Sequence, residues 1–124
     1  MSALVEPLRL VLLAEQPEWA ALLRTRLEAL GNAYPLITSP TWEAASSLFD
    51  DAGMGVLLTT PACQPEPGHC HLPVVLLLDH EPEQAPEDVY DWLVRDQLGA
   101  GMLRRCLRYA RGRSQLQNTL QRLA

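Results

Sequence analysis

The sequence predicts an α/β domain built on a doubly wound parallel sheet, and three features carry that prediction. Short, nearly continuous apolar runs recur, the first LRLVLL over 8–13 and the strongest VVLLL over 74–78, as in strands buried on both faces of a parallel sheet. A helical repeat of apolar residues follows the first run, and another closes the chain. The connections are short, so right-handed crossovers assemble five parallel strands with helices on both faces.

The elements follow in order. The first strand ends near Ala14. Pro17 suits a first helical position, Glu18 suits the positive end of a helix, and Trp19, Leu23, Leu27 and Leu30 recur at helical spacing until Gly31. Residues 34–39 read as the second strand. Ser39 and Pro40 then read as the cap and first turn of a helix burying Ala45, Leu48 and Phe49, closed by Gly53 and Gly55. Val56, Leu57 and Leu58 make a third strand leading to Thr59 and Thr60. The stretch PACQPEPGHCHLP over 61–73 holds four prolines and a glycine and reads as a loop. Residues 74–78 form the strand expected at the centre of the sheet, ended by Asp79 and His80. Pro82 and Pro86 leave room for no more than a helical turn before a fifth strand over 90–94. One long helix over 98–124 carries Leu103, Leu107 and Ala110 on one stripe and Leu116, Leu120 and Leu123 on another.

The 124 residues are 48% hydrophobic and 20% charged, which suits one core and one ordinary domain. A net charge of −5 argues against a binder of polyanions that works by bulk positive charge. All ten cations are Arg, so lysine amine chemistry is excluded. The signs segregate: residues 1–94 carry three Arg against fourteen acids, whereas 95–124 carry seven Arg against Asp96 alone. Three cysteines are too sparse and too odd a set for a disulfide scaffold, which points to a cytoplasmic setting. No targeting segment and no membrane-length apolar run is read.

In such sheets ligands and chemistry belong at the carboxyl ends of the strands. LRLVLLAEQPEWAALLRTRLEAL, VLLTT, PVVLLLD and DWLVRDQLGAGMLRRCLRYARGR, in that order and spacing, resemble the receiver domain of bacterial two-component response regulators over nearly the whole chain. The closing stretch resembles receivers attached to cyclic-di-GMP synthase or phosphodiesterase modules. The resemblance implies a flavodoxin-like (CheY-like) sheet. It also implies an acid pair after the first strand for magnesium, an Asp after the third as phosphoacceptor, a Ser or Thr after the fourth, and a Lys after the fifth.

Residue by residue, this chain departs from that set. Ala14 and Glu15 stand at the acid pair, leaving one carboxylate. Thr59 stands at the acceptor, and a neutral hydroxyl forms no acyl phosphate. Leu78 stands at the hydroxyl position and Arg95 at the Lys, which keeps charge and changes geometry. Trp92 stands at the aromatic position that changes rotamer in active receivers. The chain is shorter than a typical receiver between Thr59 and Pro73 and again between Leu78 and Trp92. The third helix is therefore expected to be missing and the fourth shortened to a turn, which rebuilds the face through which the family signals.

Other features have two readings each. Cys63, His69, Cys70, His71 and His80 are zinc-suited ligand types, but adjacent ligands and the absence of finger-like spacing favour a plain polar loop. Thr59 and Thr60 beside Glu15 lack an activating base in the sequence pattern, so inherited strand-end residues are favoured over a nucleophile. Arg104, Arg105, Arg108, Arg111 and Arg113 suit phosphate contacts. The helix dipole and the acids Asp79, Glu81, Glu83, Glu87, Asp88 and Asp91 offer a simpler partner, and no nucleic-acid binding is expected.

The expectation is a receiver-like domain over 1–113, followed by a helical extension over 114–124 that links to an output domain beyond Ala124. It is expected to be non-catalytic, without a cofactor or metal, and to regulate through protein partners or self-association. Leu103, Leu107, Leu116, Leu120 and Leu123 are its possible interface, the stripe of Leu103, Leu107 and Ala110 reading also as core and that of Leu116, Leu120 and Leu123 as a dimer or linker seam beyond it. The alternatives are an atypical phospho-switch using Glu15, Thr59 and Arg95, and a small-ligand or metal sensor using the strand-end pocket.

Overall fold

The structure is a computed structural model that describes residues 8–31, 34–46, 55–66, 70, 72–86 and 89–123, with backbone only at 117, 118 and 121–123. It contains β1 (Arg9–Leu13), α1 (Pro17–Glu28), β2 (Leu36–Thr38), α2 (Trp42–Ser46), β3 (Gly55–Thr59), β4 (Val74–Leu78), β5 (Asp91–Val94) and α3 (Ala100–Leu123). Five strands form one sheet in the order β2-β1-β3-β4-β5, and every pairing is parallel. This is the doubly wound, flavodoxin-like α/β fold expected.

Alternation along the strands divides the core between the two faces of the sheet. Leu10, Leu12, Val56, Leu58, Val75, Leu77 and Leu93 lie under α1 and α3, whose Trp19, Leu23, Leu27, Leu103, Leu107 and Ala110 complete that layer. On the other face Val11, Leu13 and Leu57 meet Trp42 and Ala45 of α2 and Leu72 of the proline-rich loop. Gly31 ends the α1 region at φ +82°, a left-handed conformation that glycine adopts at least cost.

The structure corrects several local expectations. The second helix begins at Trp42 rather than Pro40, because the Thr41 hydroxyl, not that of Ser39, accepts the Ala44 N–H at 3.2 Å and caps the first turn. Ser39 instead donates its hydroxyl to the Thr41 carbonyl at 3.1 Å. Leu48 and Phe49 lie outside the described residues. Gly55 opens β3 opposite Arg9 instead of closing the preceding unit. The central strand is β3, buried at all five positions, and not β4, whose two end residues are half-buried. Apolarity alone ranked β4 first, but the order of the sheet sets β3 third of five, and Leu57 of β3 also meets α2 on the second face.

Between β3 and β4 the described residues hold one 3₁₀ turn, Pro61–Cys63, and no α-helix. Between β4 and β5 the described residues, 79–86 and 89–90, hold no helical turn, in keeping with Pro82 and Pro86. The body of the domain extends to Ser114, which is buried in α3 and whose Oγ accepts the Gly55 N–H at 3.4 Å.

Candidate functional site

The order of the sheet places its switch point between β1 and β3, and in a parallel sheet all carboxyl ends share one rim. Ala14 and Glu15 leave β1 at this rim, Thr59 and Thr60 leave β3, Leu78 and Asp79 leave β4, and Arg95 leaves β5. Ala14 and Leu78 are half-buried and contribute no polar atom. Thr59 is fully buried, and its hydroxyl donates to the Thr60 carbonyl at 2.9 Å. Thr60, also buried, donates its hydroxyl to Glu15 Oε1 at 3.1 Å, so one hydrogen bond bridges the switch-point crevice. The Thr59 proton is thus held by a backbone carbonyl rather than offered to a base.

Arg95 closes the rest of the rim. Its Nη2 lies 3.2 Å from Asp79 Oδ1 and donates to Gln16 Oε1 at 3.2 Å, while its Cζ stands 4.7 Å from the centroid of the Trp19 ring. One guanidinium from the end of β5 therefore ties the end of β4 to the β1–α1 turn. A planar fork serves a carboxylate, an amide and an aromatic face together in a way that a compact ammonium does not. The ion pair itself is weak, since the two side chains are 33% and 58% exposed, and contributes at most about 1 kcal/mol. The stacking on a buried indole adds roughly 0.5–2 kcal/mol. A second arginine reinforces the tie: Arg26 Nε donates to the Leu98 carbonyl at 2.8 Å, fixing the lead-in of α3 to α1.

Sequence reasoning placed Glu15, Thr59, Thr60 and Arg95 at this rim, with Thr60 beside Glu15 as observed, and did not pair Gln16, Trp19 and Asp79 with Arg95. Asp79 was legible as a strand-end acid. Trp19 was hidden in its role as a core residue of α1, which it also is.

The expected interface residues separate into two groups. Leu103 and Leu107 are buried against the sheet, which removes them from any interface, because the body of the domain uses that stripe itself. Leu116 and Leu120 are exposed, and the Leu123 side chain lies outside the described residues. The structure adds Met102 and Tyr109, both exposed and spaced seven residues apart ahead of Leu116. That heptad spacing was the missed signal. Trp92 is half-buried on β5 and lines a groove of about 310 Å³ with Met102, Arg105, Cys106 and Tyr109.

Cys63 and Cys70 are half-buried against the second core layer, and His80 is exposed. His69 and His71 lie outside the described residues. Among the described residues no three His, Cys, Asp or Glu side chains are grouped as metal ligands. Burial pushes the Cys70 thiol up to about 11, against a smaller lowering effect from the Leu72 backbone. Burial, aided by the charge of Asp91, pushes Cys106 up to about 12.

These thiols stay protonated in the folded chain after the unfolded chain has begun to ionise at its ordinary 9.0. The stability they confer is therefore complete below pH 9 and is lost as the pH climbs toward 11 and 12. Urea denaturation at successive pH values is expected to show this alkaline decline, and Cys106→Ala to remove its larger part. An unchanged slope in that variant assigns the decline to other groups.

Neither a family model nor a curated protein sequence matches this chain. No helix among the described residues is long and apolar enough to cross a membrane.

Proposed function

We propose that this chain is a non-catalytic, phosphorylation-independent receiver-like module of a bacterial signal-transduction protein. It acts in the cytoplasm, by its closing helix in a protein of cyclic-di-GMP turnover, and passes partner binding or self-association to an output domain through α3.

The observation that carries this reading is Thr59. At the carboxyl end of the central strand, where a receiver presents its acceptor carboxylate, stands a buried neutral hydroxyl bonded to its neighbour's carbonyl. A hydroxyl there supplies neither the carboxylate nucleophile nor a magnesium ligand of comparable charge. The cation at the rim is already engaged with Asp79, Gln16 and Trp19. Arg95 and Arg26 hold both sides of the turn that leads into α3, so a partner that displaces either contact shifts the start of that helix.

Beryllofluoride with magnesium tests this reading. The amide resonances of Thr59, Thr60, Glu15 and Arg95 are expected to stay in place. Saturable shifts confined to those residues restore the phospho-switch reading and overturn this one.

A second reading has one observation in its favour. A pocket of about 360 Å³ lies beside the crevice, with Glu15, Gln16, Arg24, Thr38 and Ser39 as its polar lining. It suits a small polar ligand, and a concentration-dependent rise in Tm against nucleotides or other metabolites supports a sensor instead.

A further inference from the structure

We propose that the groove between α1 and the outer edge of β2 takes an extended peptide of a protein partner as a sixth strand, antiparallel to β2, with an acidic residue at Arg24 and an apolar one two positions later. This gives the partner binding of the reading above a surface, and it rests on that part of the reading alone.

The open edge is the first observation. β2 ends the sheet on the side away from β5. The Pro35 carbonyl accepts the Leu10 N–H at 2.9 Å and the Ser39 N–H donates to the Leu12 carbonyl at 3.1 Å, so the odd-numbered residues aim their backbone groups at β1. The period of two turns the amides and carbonyls of Leu36 and Thr38 outward. Edges are commonly blunted by charged side chains or by a proline that withholds an outward N–H. β2 reads Leu-Ile-Thr, without a charge, and Pro35 lacks its N–H on the β1 side. The shortness of β2 protects it in part and suits a weak, transient partner.

The groove is the second. Alternate residues of β2 face α1: Leu36 packs against the layer beneath that helix, and Thr38 follows it by two. At the amino end of β2 a cavity of about 270 Å³ lies between Leu36, Tyr34 and Leu27. At the carboxyl end a second of about 360 Å³ lies between Thr38, Ser39 and Ala20. Arg24 lines both, so the two meet at its side chain. A strand added beside such a groove gains affinity from main-chain hydrogen bonds and specificity from alternate side chains.

Charge selects the occupant. Arg24 is exposed and forms no hydrogen bond or ion pair with another described residue, so a carboxylate is its complement. Two copies paired through this edge about a two-fold axis would bring Arg24 up against Arg24, and Glu28 at one end of the groove against Glu15 at the other. A second copy is therefore disfavoured at every charged position, and a short acidic segment is not.

The register follows. An antiparallel edge strand is common on a parallel sheet, and antiparallel pairing is the slightly more stable kind. Leu36 and Thr38 then each stand opposite a residue that faces the same side and exchanges both backbone bonds with them. The residue opposite Thr38 comes first in the peptide and carries the acid that meets Arg24. Two positions later, opposite Leu36, an apolar side chain enters the cavity beside Leu27 and Tyr34. The residue between them lies with Ile37 on the other face, where a β-branched side chain suits. Arg26, on the same helix, holds the Leu98 carbonyl at 2.8 Å, so a strand pressed against α1 acts on the lead-in of α3.

Titration of the 124-residue chain with acetyl-Ser-Thr-Glu-Val-Leu-Thr-Ser-amide, with amide exchange in the free and bound states, tests the proposal. Saturable binding is expected, with the Leu36 and Thr38 amides protected by the peptide and that of Ile37 unchanged. A peptide with Lys in place of Glu is expected to bind about tenfold more weakly, and Arg24→Glu to reverse that order while leaving Tm in place. Thr38→Pro removes an outward donor without touching the bonds to β1, and is expected to weaken both peptides. No saturable binding, protection confined to other amides, or an order of the two peptides that Arg24→Glu leaves unchanged overturns the proposal. So does protection of the Leu36 and Thr38 amides in the free chain, which gives the edge to the chain itself or, where it grows with concentration, to a second copy. Beryllofluoride shifts at Thr59 in a chain that binds the peptide would instead overturn the non-catalytic reading alone.

Discussion

Thr59→Asp, which puts a carboxylate where a receiver carries its acceptor, is expected to cost about 3 kcal/mol or more of folding stability and to confer no phosphoryl transfer. The position has no exposure to water, and its hydroxyl is satisfied by a single carbonyl, which a carboxylate would repel. Glu15 is bonded to the adjacent Thr60, so a second negative charge would arrive beside the first. Both effects disfavour the ionised form and raise the pKa of the new carboxyl in the folded state.

The sign follows. A carboxyl whose folded pKa is raised penalises folding above its unfolded pKa, and the penalty fades as pH falls toward that value. Urea titrations of wild type and variant at pH 7 and pH 4.5 should therefore show a deficit that shrinks at the lower pH. Mass spectrometry after incubation with acetyl phosphate and magnesium should show no phosphoryl adduct. Wild-type stability together with an adduct would mean that the rim supports the transfer once a carboxylate is supplied.

Trp19→Ala is expected to lower stability by roughly 3–5 kcal/mol, the range for deleting a buried indole. Trp19 is almost wholly buried between α1 and the sheet, and its ring also carries the Arg95 guanidinium. Core loss and stacking loss are separable. Arg95→Ala removes the stacking, the Asp79 pair and the Gln16 hydrogen bond, for a cost of about 1–2 kcal/mol. A double-mutant cycle isolates the part that Arg95 and Trp19 share, expected at about 0.5–2 kcal/mol. Additive losses would mean that the ring serves only the core and that the guanidinium acts through Asp79 and Gln16 alone.

Much of the architecture was legible because it is local. The run over 8–13 and the spacing of Trp19, Leu23 and Leu27 announced β1 and α1, and the prolines over 61–73 announced a connection whose described residues hold no α-helix. The start of α2 was misplaced because Ser39 and Thr41 are both competent caps, and only backbone geometry selects Thr41. β4 was placed at the centre because its residues are the most uniformly apolar, whereas the order of the strands, which sets β3 third of five, decides the centre. Leu103, Leu107 and Ala110 were legible as a core stripe, and the structure buries all three against the sheet, which takes Leu103 and Leu107 out of the interface. Met102 and Tyr109 went unread because neither belongs to a conspicuous run of leucines.

By itself, the sequence determined the alternation of strands and helices, the neutral hydroxyl at position 59, and the separation of acidic body from basic helix. These are matters of residue identity and short-range periodicity. Only the tertiary structure decided that Gln16, Trp19, Asp79 and Arg95 converge, though as many as 79 positions separate them along the chain. The parallel order β2-β1-β3-β4-β5 carries every strand end to one rim, and a side chain as long as arginine can reach across that rim. Contacts of this kind depend on the path of the whole chain, and no window of neighbouring residues contains them.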